Sequence, residues 1–334
     1  MSRALLVALV AVAALLVGCG SHVSTTDEQQ QAGRTTATVE HLDPVPIATD
    51  PSPQLPATVT GFDGRQVRVD DVSRIVAVDR YGTLAQTVYA LGLGDNLVGR
   101  SVSAAFPAVE HVTNVTPGGN SLNAEAILAL QPTVVLTDTS IGPQAVQDQL
   151  RAAGVDVVFF DPTRTMAGVS PQIEAVAAAL GVPEQGAALA ARTQQEIADA
   201  TASAGEHDRP RIAFLYLRGT ALTLLAGPGS GADALIEAIG GEDAGTAAGL
   251  TASFVPVTSE AMIVAAPDVI LLMTDGLESI GGVDGLEKVP GVAQTPAGQN
   301  KRVVDMADSV LLSFGPNTGE VVAALAQAVY PEDR

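Results

Sequence analysis

Ala124-Glu125-Ala126-Ile127-Leu128-Ala129-Leu130-Gln131-Pro132-Thr133-Val134-Val135-Leu136 decides the fold, because the chain uses its pattern twice. It returns as Ser259-Glu260-Ala261-Met262-Ile263-Val264-Ala265-Ala266-Pro267-Asp268-Val269-Ile270-Leu271. In each copy a short helix runs into a proline, which lacks an N–H and cannot continue a helix. An unbroken apolar strand follows. Strands apolar at every position are buried on both faces, which is the condition of a parallel sheet covered by helices.

The same rhythm spreads outward from both copies. Strands are predicted at 75–78, 97–99, 133–137 and 155–160, with helices at 83–91, 123–130 and 143–153 between them. A second set follows at 211–217, 269–273 and 302–304, with helices at 231–239, 260–266 and 319–330. Between the sets, 170–204 is rich in Ala, Gln and Glu with an apolar period near 3.6, and predicts a helix, a brief break and then a long helix over 184–203. Before the first set, Asp63-Gly64 between alternating runs predicts a hairpin over 57–69. The expected architecture is α/β: two Rossmann-like lobes joined by one long helix, with a ligand cleft where strand carboxyl ends meet. The expected divisions are a leader (1–18), a flexible tether (19–56), an N-terminal lobe (57–169), a connecting helix (170–205) and a C-terminal lobe (206–334). The tether rests on the Ser, Thr, Gln and Pro content of 20–56, which has no apolar period.

Composition narrows the function. The net charge is −20, from 17 basic and 37 acidic residues. That excludes a nucleic-acid binder working by phosphate neutralisation, and it favours a soluble monomeric body. Aromatics make up 3 % with no tryptophan, so the cores must be aliphatic.

The start of the chain reads as a secretory leader: Arg3, an apolar run from Ala4 to Val17, then Leu16-Val17-Gly18-Cys19. The run is too short to span a bilayer, which takes about 20 apolar residues. Its last four residues resemble the lipobox of bacterial lipoproteins. The resemblance implies acylation of the Cys19 thiol and a lipid anchor on the outer face of the cytoplasmic membrane. Cys19 is the only cysteine, so no disulfide can form within the chain.

Three stretches, 89–95, 126–136 and 150–155, together resemble the metal-chelate substrate-binding proteins of ABC importers, which carry haem, ferric siderophores and corrinoids. The resemblance covers roughly 73–330. It implies the periplasmic-binding-protein fold of the metal-chelate class, with an ABC permease and its ATPase as partners. The stretches 227–233, 276–286, 290–298 and 311–316 most resemble the haemin-binding lipoproteins of actinobacteria. The implied function is capture of haemin, or another iron chelate, as transported ligand, with no catalytic cofactor. The long helix implies a small closure on binding.

Tyr216 and Arg218 end a strand, and residues two apart point to one side. Phenolate, not phenol, ligates ferric iron, and a neighbouring Arg⁺ favours the charged form. The resemblance implies this pairing for the iron, with Tyr216 as metal ligand. It also implies a His on the loop before residue 123, where Asn120 stands. An amide is a poor ligand for ferric haem. His111, nine residues upstream, is a substitute ligand; as a loop residue it has solvent exposure as its bland alternative. The relatives carry Arg after a Gly-Pro where this chain has Asn317. Arg80 and Tyr81 after the first strand, and Arg100 after the second, are candidates for the ligand or its anionic groups. Met273, ending its strand, is a candidate for the porphyrin face or the core. Permease docking is implied through one acid per lobe. The matching places hold Gln86 in the first lobe and Asp233 and Glu237 in the second.

A ferric siderophore or corrinoid stays open as the ligand. A surface hydrolase is disfavoured, since the chain has neither a Gly-x-Ser-x-Gly elbow nor a His-Glu-x-x-His helix. A surface lipoprotein that senses or stores its ligand also stays open.

Overall fold

The computed structural model describes residues 33–119, 121–204 and 208–331. The repeated stretch folds the same way twice. Its first copy is helix α2 (Ala124–Ala129) and strand β7 (Val134–Thr137); its second is α8 (Ser259–Ala265) and β13 (Val269–Met273). Both strands are buried at every position. The equivalence reaches single hydrogen bonds. Thr133 and Asp268 hold the same place in the repeat, and each exchanges bonds with an arginine where the neighbouring strand begins, Arg74 just before it in one copy and Arg211 as its first residue in the other. The Thr133 N–H donates to the Arg74 carbonyl (2.9 Å), and the Arg74 N–H donates to Thr133 Oγ1 (3.2 Å). The Asp268 N–H donates to the Arg211 carbonyl (2.8 Å), and the Arg211 N–H donates to Asp268 Oδ2 (2.9 Å). In both copies the residue before proline is driven out of the right-handed helical region. Gln131 takes φ +49° and Ala266 +41°, conformations that side chains rarely adopt.

In the first lobe β4 (Ile75–Val78), β5 (Leu97–Arg100), β6 (Thr113–Asn114), β7 and β8 (Asp156–Phe159) form a parallel sheet in the order β6-β5-β4-β7-β8. Helices α1 (Thr83–Val88), α2 and α3 (Gln144–Ala152) lie between the strands. The hairpin at Asp63-Gly64 forms as read, pairing β2 (Ala57–Thr60) with β3 (Gln66–Val69). Helices α4 (Val169–Ala179) and α5 (Pro183–Ser203) then cross to the second lobe. Gly181, at φ +72°, makes the turn between them.

The second lobe is built on β9 (Arg211–Arg218), β10 (Leu222–Ala226), β11 (Glu242–Asp243), β12 (Phe254–Pro256), β13 and β14 (Val303–Met306). Around them lie α6 (Ala232–Ala238), α7 (Ala244–Ala247), α8, α9 (Thr274–Glu278), α10 (Gly282–Leu286), α11 (Pro296–Gln299) and α12 (Thr318–Val329). The order β14-β13-β9-β10-β12 starts parallel and ends antiparallel, and β11 adds to β9.

The expected tether is corrected over 33–56. Strand β1 (Arg34–Ala37) pairs in parallel with β14 and forms the edge of the second sheet. Its hold is polar, which is why no apolar period announced it. The Arg34 guanidinium donates to both oxygens of the fully buried Asp305, each at 2.8 Å. Thr36 and Thr274 donate to the same carboxylate, at 3.0 and 2.8 Å.

The chain then crosses to the first lobe. Asp43 accepts from the Ala108 N–H (2.7 Å), and Val45 accepts from Arg192 of α5 (2.6 Å). The Ile47 N–H donates to the Ala90 carbonyl (2.7 Å). Residues 33–56 are therefore a strap that joins the lobes a second time, beside α4 and α5. Gly92, at φ +90°, lies under this strap, and a side chain there would strike the Ala48 carbonyl.

Replacing Ala266 by Gly should raise stability by about 0.5–1 kcal/mol, the left-handed strain relieved less the entropy glycine adds to the unfolded chain. A thermal melt that falls instead would assign the methyl a packing role.

The strap also carries an exposed pair, His41 Nδ1 with Glu320 Oε1 at 3.0 Å, and Glu320 raises the imidazole pKa. A raised folded value gives stability that is complete below the unfolded pKa of about 6.5 and fades as pH rises through the folded one. The melting temperatures of wild type and His41→Asn should therefore differ at pH 6 and converge in alkaline buffer.

Candidate functional site

Loops at the strand carboxyl ends bring the lobes together. Helix α1 follows β4, and its Thr83 hydroxyl donates to the Ser313 carbonyl in the loop after β14. Gln86 Nε2 donates to the Ser309 carbonyl of the same loop (2.8 Å). Gly231, before α6, lies against Arg164, in the loop after β8. The carboxyl ends of both sheets therefore face one cleft, the place where open α/β sheets bind ligands.

On the second-lobe side, Tyr216 is half-buried and Arg218 exposed, on the same side of β9. The Arg218 guanidinium carbon stands 4.6 Å from the centre of the Tyr216 ring, within cation–π range. Phe254 of β12 meets the other ring edge-on at 6.4 Å. Arg218 Nη1 donates to the Leu217 carbonyl (2.8 Å) and Nη2 to Asp308 Oδ2 (2.6 Å). Met273 is buried at the end of β13, with its sulfur 3.9 Å from Arg218 Nη2. Burial pushes the Asp308 carboxyl pKa up, against the pull of Arg218.

The first-lobe side repeats the motif of an arginine on a tyrosine. Arg164 lies 4.8 Å from the Tyr81 ring centre. It reaches Asp138 Oδ2 at 3.1 Å and Asp79 Oδ1 at 3.4 Å, and both carboxylates are fully buried. Two buried acids share one arginine, so burial and Asp79 push the Asp138 carboxyl up. Asp79 also accepts from the Tyr81, Thr83 and Leu84 N–H groups and so caps α1. Burial pushes the Tyr81 phenol up, toward the neutral form that does not ligate iron. Arg80 is exposed, with Nε donating to the Ser140 carbonyl (3.1 Å). It lines a hollow of about 330 Å³ with residues 139–144 and Gln147. A larger groove, about 390 Å³, lies between the β2–β3 hairpin, β8 and α4 and includes none of the candidates.

Several expected roles are corrected. Arg100 turns into its own loop, donating to the Val109 (2.9 Å) and Ser101 (3.3 Å) carbonyls, rather than joining the Tyr216 group. Asn317 is 4 % exposed, and its amide donates to the His41 carbonyl (2.9 Å), so it clamps the strap instead of a ligand. Gln86 is fully buried between the lobes and cannot meet a permease. Asp233 is engaged at the start of α6, accepting from the Gly229 (2.7 Å) and Gly231 (2.9 Å) N–H groups. Glu237 and His111 are exposed. Cys19 and Asn120 lie outside the described residues.

Asp308, Phe254 and the Asp79–Asp138–Arg164 cluster were not foreseen. Asp79 and Asp138 each directly follow an apolar strand, a signal visible in the sequence. Asp308 and Arg164 sit in irregular loops that offer no period.

Among the described residues no helix is long and apolar enough to cross a membrane. No group of three or more His, Cys, Asp or Glu among them could hold a bare metal ion.

The chain resembles the crystal structure of heme binding protein HmuT, with 42 % identity, a TM-score of 0.86, and coverage of 90 % of this chain and 97 % of that one. HmuT has also been solved as single alanine variants at a histidine, a tyrosine and an arginine, the last two two positions apart. An uncharacterized ABC transporter substrate-binding lipoprotein, YvrC of Bacillus subtilis (strain 168), is 25 % identical over 97 % of this chain and 96 % of its own length. A cobalamin-binding protein of Halobacterium salinarum is 27 % identical over 71 % of this chain and 64 % of its own. The profile of the family described as periplasmic binding protein matches residues 76–310. The chain belongs to that family, as a substrate-binding protein of an ABC importer and not an enzyme.

Proposed function

We propose that this protein captures haemin between its lobes and delivers it to an ABC permease, while an acylated Cys19 holds it on the outer face of the cytoplasmic membrane. The observation that carries the reading is the Arg218 guanidinium laid on the Tyr216 ring at the carboxyl end of β9. A phenolate oxygen is a ligand for ferric haem, and a guanidinium against the ring fixes where that oxygen points. A tyrosine and an arginine with the same spacing are among the positions varied in the HmuT structures. Leu222, which pairs with Arg218 across β9 and β10, is exposed and offers an apolar rim to a porphyrin. A lone phenol and one arginine suit an iron that arrives already chelated. A corrinoid is the second reading, and the relatives that bind cobalamin favour it.

Docking to the permease is assigned to the exposed faces of α2 and α8. Each helix runs antiparallel to the strand it precedes, so its first turn lies at the strands' carboxyl ends, where the cleft opens. Each carries an exposed Glu in that first turn, Glu125 and Glu260, at equivalent places in the repeat. One turn on lie exposed aliphatics, Leu128 in the first and Ile263 and Val264 in the second. These matched faces replace Gln86 and Asp233.

An absorbance titration of the protein with haemin should give a saturable complex with a ferric-tyrosinate band. Tyr216→Ala should remove the band and weaken binding by more than about a hundredfold, beyond what loss of a supporting group costs. Saturable binding of cobalamin but not haemin would instead establish the corrinoid reading. Glu125→Arg with Glu260→Arg should abolish stimulation of the reconstituted importer's ATPase while leaving the haemin titration unchanged. Full stimulation by the double variant would remove α2 and α8 from the docking face.

A further inference from the structure

We infer that Asp308 is a positioning residue of the chelate site, holding the Arg218 guanidinium on the face of Tyr216 before any ligand arrives; this rests on the haemin reading above. Arg218 is a long side chain with its head in solvent, and such a side chain loses substantial rotamer entropy when it is held in one pose. Cation–π attraction at an exposed site is too weak to hold it alone. Three other contacts define the pose. Nη1 is tied to the Leu217 carbonyl of its own strand. The Met273 sulfur lies against Nη2. Asp308 takes Nη2 at 2.6 Å and is the one charged partner among the described residues.

Asp308 is itself immobilised. Its other oxygen accepts from the Asp275 N–H at the start of α9 (3.0 Å), and its side chain is 20 % exposed. An ion pair between two free surface side chains contributes little. Here one partner is anchored to backbone and the other has two further contacts, so the pair has little left to order. Gly276 keeps the space open, since a Cβ there would stand 3.3 Å from Arg218 Nη1 and 3.0 Å from the Leu217 carbonyl oxygen. Without Asp308 the fork would keep its positive charge but lose its place over the ring.

The test is a double-mutant cycle on the full chain, with haemin affinity and the ferric-tyrosinate band as readouts. Asp308→Asn keeps the side-chain shape and removes the charge. It should weaken haemin binding about three- to tenfold, the cost of ordering one long side chain at the moment of binding, and shift the band. In an Arg218→Ala background the same substitution should change neither. Equal losses in both backgrounds would show that Asp308 acts on its loop independently of Arg218 and would overturn the inference, as would no loss in either.

A ligand-free arm separates this inference from the haemin reading. The near-ultraviolet circular dichroism of Tyr216, taken as wild type minus Tyr216→Phe, should collapse in Asp308→Asn. Retention of that signal refutes the positioning role whatever the protein binds. A collapsed signal with no haemin complex in wild type would retain it while overturning the haemin reading.

Discussion

The contact on which the rest of this structure depends is the one between the start of α1 and the loop after β14. Thr83 and Gln86 reach carbonyls of that loop from the opposite lobe. Because α1 follows one sheet and the loop follows the other, their contact turns two sets of strand carboxyl ends toward each other. A buried hydrogen bond across a lobe boundary is expensive to leave unmade, so the pair also resists rotation of the lobes. The non-glycine Phe314 at φ +48° beside it is a strained conformation that its surroundings must hold.

Charge is arranged against the background of the whole molecule. With a net charge of −20, an anionic ligand approaches an unfavourable field. The cleft does not meet this with free cations alone. Arg164 is enclosed by two buried carboxylates and Arg218 is matched by Asp308, so each arginine on a tyrosine has an acid behind it. Arg80 stays exposed, with its guanidinium donating to the Ser140 carbonyl. The two tyrosine–arginine groups thus differ in kind. In the first lobe the arginine and its two acids are buried, whereas in the second Arg218 is exposed.

The division between what could and could not be read in the sequence follows from which forces leave a local trace. Apolar runs and proline stops are local, and they gave the main parallel strands of both sheets, the hairpin and the connecting helices, whereas β1, β6, β11 and β12 are too short or too polar to leave such a trace and β10 was not foreseen. Strand alternation is local too, and it placed Tyr216 and Arg218 on one side. Gln86 and Asn317 failed because a polar residue buried by a partner distant in sequence looks, in its own neighbourhood, like a surface residue. The 33–56 segment failed for a related reason. What holds it is not an apolar face but a carboxylate, Asp305, contributed from the far end of the chain.

That last feature has a practical edge. A chain shortened to begin after residue 56, as its composition invites, would leave β14 as a bare sheet margin with unpaired backbone groups. It would also strip the buried Asp305 of its arginine. Such a margin is a template for strands from other molecules. Self-association in a preparation of that kind would report the missing segment and not a property of the intact protein.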